Sequence, residues 1–291
     1  MGPAAEATPY DHGVSDLGVP DQNPSPAPRA RRLPGPRARA LTLCGVLVAA
    51  LFGTAAFVPL PYTLTMPGDT ADVLGSYQDR PVLTVTGAPV RTTSGQLRMV
   101  TISATNPGER LSLAEALSAW LDPDEAVLPS EAVYPDTDPE KAEQVTAEQM
   151  TDSQDSATTA ALNYLKLSPA QVKVKVDLGA VGGPSAGQLI ALGIVDKLAG
   201  DGKGGDLTGG RVVAGTGTID DQGNVGAVGG VPLKTQAAAR DGATVFLVPR
   251  SECSEAKVNL PAGLRLVPVE TLAGSVAALT ALNEGGAVPA C

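Results

Sequence analysis

An uncharged apolar stretch from Ala40 to Leu60 is the feature that most restricts how this chain can fold. An α-helix of about 20 apolar residues spans the hydrocarbon core of a bilayer. A cluster of arginines comes just before the stretch, at positions 29, 31, 32, 37 and 39. Because basic residues stay on the cytoplasmic side, the pattern predicts a single-pass anchor in the cell membrane over residues 40–61. The N-terminus is then cytoplasmic, and everything after Pro61 is extracytoplasmic.

The segments on either side of the anchor lack periodic structure. Residues 1–39 are rich in Pro, Ala, Gly and Arg, which predicts a disordered cytoplasmic tail. Residues 62–79 are interpreted as a linker. A cleaved signal peptide, processed at Thr54-Ala55-Ala56, is the alternative to an anchor. The leader of 39 residues is long for the basic region of a signal peptide, so a retained anchor is favoured.

Composition excludes several classes of function. The net charge of −10 and the aromatic content of 3% argue against a nucleic-acid partner. The chain has one histidine, His12, in the tail, so the folded part has no histidine for a Ser-His-Asp site, a Cys-His site or a histidine-based zinc site. The phosphate-binding pattern GxxxxGK[ST] does not occur. No cofactor and no metal are predicted.

The remaining sequence alternates between strand and helix patterns, which predicts an α/β or α+β class. Alternating apolar residues predict a β-hairpin from residues 82–86 and 96–102. Residues 122–145 are acidic and rich in proline, and are expected to form a loop or an exposed edge. Helical spacing predicts helices at residues 111–121, 150–167, 188–198, 231–240 and 272–282. Strands are expected at residues 172–176, 211–219 and 245–248.

Ser185 is the candidate nucleophile. It follows Gly182-Gly183-Pro184 and immediately precedes a predicted helix. Small neighbours let a substrate strand approach, and backbone N–H groups from Gly183 to Ala186 are candidates for stabilising an oxyanion. Taken alone, a serine at this position is more often a simple helix cap.

Lys234 is the candidate general base. A serine hydroxyl needs a base, and without histidine the common remaining choice is a lysine kept neutral by burial. Lys234 lies between small and apolar neighbours, in Val228-Gly-Gly-Val-Pro-Leu-Lys-Thr-Gln-Ala-Ala-Ala239, whereas the other lysines of the folded part lie in polar contexts. The competing interpretation of Lys234 alone is an ordinary surface lysine.

Three motifs, GGPSAG, TGTID and VGGVPLKTQAA, together resemble the proteolytic domain of Lon proteases. The resemblance assigns the nucleophile to Ser185, the lysine of the dyad to Lys234 and a supporting threonine to Thr216. It covers about residues 80–282 and is strongest over 177–250, where the catalytic motifs lie. It implies an α+β Lon proteolytic-domain fold over residues 80–291, preceded by one transmembrane helix.

The chain is closer still to actinobacterial membrane-anchored proteins that have PDZ and Lon-protease domains. They share the anchor, a segment like residues 111–138, and the Met150–Asp155 stretch. Only a few residues separate Leu167 from Val172, where a PDZ module is expected, so recruitment of substrates through such a module is doubtful. In ATP-dependent Lon an aspartate lies three positions before the serine, and Gly182 replaces it here.

The resemblance implies an ATP-independent serine endopeptidase that cleaves extracytoplasmic polypeptides and forms a homo-oligomeric ring. A membrane-anchored scaffold without catalytic activity is the main alternative, and a protein that cleaves only its own 122–145 segment is another. Ser254-Glu-Ala-Lys257 fits the SxxK pattern of penicillin-interacting enzymes but lacks the accompanying SDN and KTG elements. Cys253 and Cys291 form a disulfide or remain free thiols; spacing does not decide between the two.

Overall fold

The structure, a computed structural model, describes residues 35–134, 138–179 and 183–291. Most of the predicted disordered tail, residues 1–34, lies outside this range, as does Gly182. The chain divides into two units, residues 1–51 and residues 52–291.

The elements, in chain order, share the alternation expected from the sequence. They are α1 (Pro36–Phe57), β1 (Tyr62–Asp72), β2 (Ser76–Tyr77), β3 (Arg80–Pro81), β4 (Leu83–Thr86), β5 (Gln96–Ala104), α2 (Leu113–Leu121), β6 (Ala126–Pro129), α3 (Ser130–Val133), α4 (Pro139–Leu165), β7 (Lys173–Val176), α5 (Gly187–Leu198), β8 (Val212–Gly215), β9 (Thr218–Ile219), β10 (Val225–Gly226), α6 (Val231–Arg240), β11 (Val245–Pro249), α7 (Cys253–Ala256), β12 (Arg265–Val269) and α8 (Leu272–Asn283). Two 3₁₀ turns, Pro184–Ala186 and Arg250–Glu252, precede α5 and α7.

Helix α1 is long and apolar enough to cross a membrane, and none of its residues is buried. It starts and ends four residues earlier than the anchor expected at residues 40–61. Pro36 is well suited to the first turn of a helix because its missing N–H needs no partner there. Pro59 and Pro61 follow the end of the helix, and neither could donate a helical hydrogen bond.

A six-stranded mixed sheet forms the centre of the second unit, in the order β12-β11-β8-β5-β1-β6. The first four strands are parallel to one another, β1 is antiparallel to β5, and the edge strand β6 is antiparallel to β1. The register of β1 shifts between Pro67 and Thr70. Proline cannot donate to a ladder, so a bulge at this position is the expected accommodation.

The two faces of this sheet bury alternate residues of the same strands. Leu247 of β11 belongs to the larger core, which α4, α5 and α8 help to form. Its neighbours Phe246 and Val248 belong to a second core that includes Val231 and Ala238 of α6. Because side chains alternate along a strand, a strand buried on both faces is apolar throughout, as β11 is.

The structure corrects the predictions for the first part of this unit. Residues 62–72, expected to belong to a linker over 62–79, form β1 and pair with both β5 and β6. The predicted hairpin of residues 82–86 with 96–102 is wrong. Strand β4 pairs instead with β7, whereas β5 lies between β1 and β8. Pattern alone marks a strand but does not identify its partner, which long-range packing selects.

Other elements follow the sequence more closely. Helix α6 occupies residues 231–240 as expected, and α4 begins eleven residues before the predicted start at Met150. The segment 122–145, expected to form a loop or an exposed edge, contains the edge strand β6, but α3 and the start of α4 also lie within it. Cys253 and Cys291 form a disulfide, with 5.2 Å between their Cα atoms.

Candidate functional site

Ser185 lies in the 3₁₀ turn Pro184–Ala186, which runs directly into α5. The turn begins at Gly183, whose φ of 101° suits glycine and strains most other residues. At the start of α5, a side chain on Gly187 would lie 2.8 Å from the Ser153 hydroxyl oxygen. Glycine is therefore needed on both sides of Ser185, first for backbone conformation and then for close packing against α4.

Lys234 lies on the buried face of α6, and only 3% of its surface is exposed. Gly230, in the left-handed conformation, precedes the helix, and Pro232 occupies its first turn. Val231 and Ala238, which share the lysine's face at helical spacing, belong to the core. The helix packs against β1 and β5, so the fold carries the lysine amine into an apolar interior.

Thr216 connects the serine turn to the lysine. It lies at the corner between β8 and β9 and is fully buried. Lys234 Nζ donates a hydrogen bond of 3.2 Å to Thr216 Oγ1. Thr216 Oγ1 donates one of 3.2 Å to the carbonyl oxygen of Ser185, which also accepts the Gly217 N–H at 2.9 Å. Thr216 thus links the Lys234 amine to the backbone carbonyl of Ser185.

Burial sets the electrostatics of Lys234. Desolvation lowers the pKa of Lys234 from an ordinary 10.5 to about 8, while the negative charges of Glu252 and Glu255 act in the opposite direction. At pH 7, a lysine with this pKa is neutral in roughly a tenth of the molecules, far more often than an exposed lysine. An amine in this state has a lone pair that can accept a proton.

Glu252 is a neighbour of this lysine that the sequence analysis did not identify. Its side chain is buried in the turn after β11, and one carboxylate oxygen accepts the Val228 N–H at 2.8 Å. The other oxygen is buried and has no hydrogen-bond partner among the described residues. Burial raises the pKa of Glu252, and the charge of Lys234 opposes this. In the sequence, a single acidic residue after a strand does not indicate that its side chain is buried near Lys234.

Ser153 of α4 is a second residue that the sequence analysis did not single out. It is buried, and its hydroxyl donates a hydrogen bond of 3.0 Å to the carbonyl oxygen of Pro184. The only sequence signal for it was the family resemblance of the Met150–Asp155 stretch, which carried no assigned role. Ser153 precedes the serine turn in the chain and Thr216 follows it, and each donates a hydrogen bond to a carbonyl oxygen of that turn.

The remaining residues of the predicted site, Gly183 and Ala186, lie close to Ser185 in the chain. Ala186 is buried and Gly183 is half-buried, each one or two residues from Ser185. Ser254 and Lys257, the SxxK pattern, are both exposed at α7. Across residues 35–134, 138–179 and 183–291, no group of three or more His, Cys, Asp or Glu side chains is placed to hold a metal ion.

Comparison with known protein families identifies the type of domain that contains this site. Residues 143–280 match the model of the Lon protease (S16) C-terminal proteolytic domain. No curated protein matches the chain. The matched segment includes most of α4, the turn with Ser185, the corner with Thr216, and α6 with Lys234. The chain therefore carries, over residues 143–280, the C-terminal proteolytic domain of the Lon (S16) family of serine peptidases.

Proposed function

We propose that this protein is a membrane-anchored serine endopeptidase in which Ser185 is the nucleophile and Lys234 is the general base. The observation that carries the proposal is the buried Lys234 amine, with a pKa lowered to about 8 and a hydrogen bond to Thr216. An isolated lysine on an apolar helix face is costly to bury. Lys234 lies beside a threonine that contacts the serine turn, and strongly shifted pKa values of this kind cluster at catalytic sites.

In the proposed reaction, the neutral Lys234 amine accepts the proton of the Ser185 hydroxyl as Oγ attacks the substrate carbonyl carbon. Backbone N–H groups of the segment from Gly183 to Ala186 stabilise the oxyanion. The Lys234 ammonium then gives its proton to the leaving amine, and an acyl-enzyme remains. Water, deprotonated by the same lysine, attacks the ester. The bond from Ser185 Oγ to the acyl carbon breaks, Lys234 returns the proton to Oγ, and the acid product leaves. Thr216 keeps the amine oriented throughout.

The location of the site is part of the same proposal. Helix α1 is the membrane anchor, and the arginines before it favour a cytoplasmic N-terminus. A Cys253–Cys291 disulfide is consistent with an extracytoplasmic catalytic domain because such bonds persist in oxidising compartments. Without a phosphate-binding loop in the sequence, ATP-driven unfolding is not built into the chain. Flexible or unfolded segments are therefore the proposed substrates, with a homo-oligomeric ring as the expected assembly.

The test is hydrolysis of casein by the full chain in lipid nanodiscs without ATP. We expect activity in the wild type and its loss in Ser185→Ala and in Lys234→Ala. The matched controls are Ser254→Ala and Lys257→Ala, which change an exposed serine and an exposed lysine and should leave the rate unchanged. Equal rates in the wild type and the Ser185→Ala variant would contradict the proposal.

Two further outcomes separate the alternatives. A wild-type chain that is cut only within residues 122–145, together with an intact Ser185→Ala chain, would indicate self-processing. A chain whose Ser185 does not react with a fluorophosphonate, and which cleaves neither casein nor itself, would indicate a scaffold.

A further inference from the structure

Helix α2 exposes an apolar surface, which we call the α2 patch: Leu117, Trp120 and Leu121. Their exposed fractions are 50%, 83% and 88%. The spacing i, i+3, i+4 places the three side chains on one helix face, while Ala119 is buried on another. A complete capping box between Ser112 and Glu115 fixes the start of the helix. An exposed apolar surface of this kind on a helix marks an interaction site.

The α2 patch lies close to the end of the predicted membrane helix. The Leu60 N–H donates a hydrogen bond of 2.8 Å to the carbonyl oxygen of Leu111, and α2 begins two residues later. Leu60 is the third residue after Phe57, where α1 ends. Three residues reach at most about 10 Å. Helix α2 therefore starts within a short distance of the point where the chain leaves α1.

The surface between these points is also apolar. Leu60 and Tyr62 line a groove together with Leu113, Leu117 and Trp120. Tyr62 is 38% exposed. An aromatic pair with apolar rings and polar atoms at one end is the type of side chain that is enriched at membrane–water interfaces.

We propose that the α2 patch inserts into the membrane–water interface beside the anchor. This inference rests on the proposed membrane crossing by α1. Its 22 residues extend about 33 Å as a helix, against a hydrocarbon core of about 30 Å and a headgroup region of some 5–7 Å on each side. Leu60 lies within about 10 Å of the end of α1, and α2 begins two residues after Leu111, the hydrogen-bond partner of Leu60. Helix α2 can therefore reach headgroup depth, where Trp120 is favoured.

Area favours lipid over another protein, and charge indicates which lipid headgroups are needed. Asp122 and Asp124 follow the patch directly, so insertion depends on apolar contact and not on anionic headgroups. The three side chains offer on the order of 400 Å² of apolar surface. Each partner of a stable protein complex buries about 800 Å², so the α2 patch alone is too small for that role.

The single tryptophan of the chain makes the proposal directly measurable, because all tryptophan fluorescence reports on Trp120. The probe is the full chain in nanodiscs of uncharged phosphatidylcholine made with a tryptophan-free scaffold protein, with a nitroxide either on the headgroup or deep in the acyl chain. We expect emission blue-shifted from that of the urea-unfolded chain. We also expect headgroup nitroxide to quench it at least twice as strongly as deep nitroxide, and soluble iodide to quench it weakly.

A relocated tryptophan provides the matched control. Tyr164, on α4, is 41% exposed and lies beside Asn163 and Asp221. In the Trp120→Phe/Tyr164→Trp variant, we expect iodide to quench the emission and nitroxide lipids to leave it unchanged. The Leu117→Ser/Leu121→Ser variant, which keeps Trp120, should lose at least half of the lipid quenching.

Three outcomes would overturn the proposal. One is strong iodide quenching of Trp120 without lipid quenching. Another is a blue shift without lipid quenching that grows with the number of chains in each disc, which would identify a second copy as the partner. The third is a chain that does not enter nanodiscs. It would remove the anchor, and the interface with it. The casein test would then be run on the full chain in solution, and it would still report on the peptidase.

Discussion

The side-chain nitrogen of Lys234 lies 3.2 Å from the hydroxyl oxygen of Thr216, to which it donates a hydrogen bond. The same hydroxyl donates to the carbonyl oxygen of Ser185. One buried threonine thus fixes the amine relative to the backbone of the serine turn. In the proposed reaction, the neutral amine donates one N–H to Thr216 and keeps its lone pair for the proton of the serine.

Replacing Thr216 by valine keeps its shape and removes both hydrogen bonds. We expect kcat to fall by about 10- to 100-fold, which is less than the roughly 10²- to 10⁴-fold that a positioned general base contributes, because Thr216 only orients the base. KM should change little. Thr216→Ser keeps the hydroxyl and should recover most of the rate. Steady-state hydrolysis of a fluorogenic casein measures both variants. An unchanged kcat in Thr216→Val would show that the threonine does not orient the base.

The pH dependence of activity should report the pKa of Lys234. Its pKa of about 8 predicts that kcat/KM rises with pH as the amine loses its proton near pH 8. In Glu252→Gln the amide oxygen still accepts the Val228 N–H, but the negative charge that raises the pKa of Lys234 is gone. The rise should therefore move to lower pH.

The matched control for this shift is Glu255→Gln, which removes a second charge that acts on Lys234 from an exposed side chain. Water screens an exposed charge more strongly, so the shift should be smaller than in Glu252→Gln. A ¹³C NMR titration of the Lys234 side chain gives the same pKa without any activity. A pKa that stays constant or rises in Glu252→Gln would contradict the assignment.

Burial of Lys234 should lower the stability of the fold at neutral pH. The folded pKa of about 8 is below the ordinary 10.5, so between these values the unfolded state binds more protons and stability rises with pH. Below pH 8, the penalty is fully present and is on the order of 3 kcal/mol. We expect Lys234→Met to increase the free energy of unfolding at pH 7 and to lose this advantage towards pH 10.5, as measured by urea denaturation at several pH values.

Ser153 should affect the geometry of the serine turn. Ser153→Ala removes the donor to the Pro184 carbonyl, which leaves that oxygen without a bond worth about 1 kcal/mol. We expect a few-fold lower kcat and a small loss of stability. Ser156→Ala, three residues further along α4 and half-buried, is the matched control and should retain the wild-type rate. Equal rates for the two variants would remove Ser153 from the support of the site.

The disulfide between Cys253 and Cys291 should stabilise the second unit. Closing a loop with a sequence separation of 38 residues constrains the unfolded chain, and removing such a bond costs about 2–4 kcal/mol. We expect dithiothreitol, or the Cys253→Ser/Cys291→Ser variant, to lower the urea midpoint. Cys44→Ser, which changes the free cysteine, should leave the midpoint unchanged. No difference between the oxidised and reduced wild type would argue against the bond.

Local patterns were sufficient for much of the site. Glycines beside a serine predict a turn, and an apolar setting for Lys234 predicts a buried amine. Both interpretations agree with the structure, because each depends on residues adjacent in sequence. The hairpin prediction was wrong for the opposite reason. Strands β4 and β7 are nearly ninety residues apart in the sequence, and nothing in either strand indicates that the two pair.

The sequence by itself determined the apolar helix, the mixed α and β class, the absence of a usable histidine and the candidates Ser185, Thr216 and Lys234. Only the tertiary structure decided that the charge of Glu252 acts on the lysine, that Ser153 supports the serine turn and that β1 lies inside the sheet. The physical reason is that periodicity records the face of an element that is buried. The partner on that face is selected by packing among residues far apart in the chain.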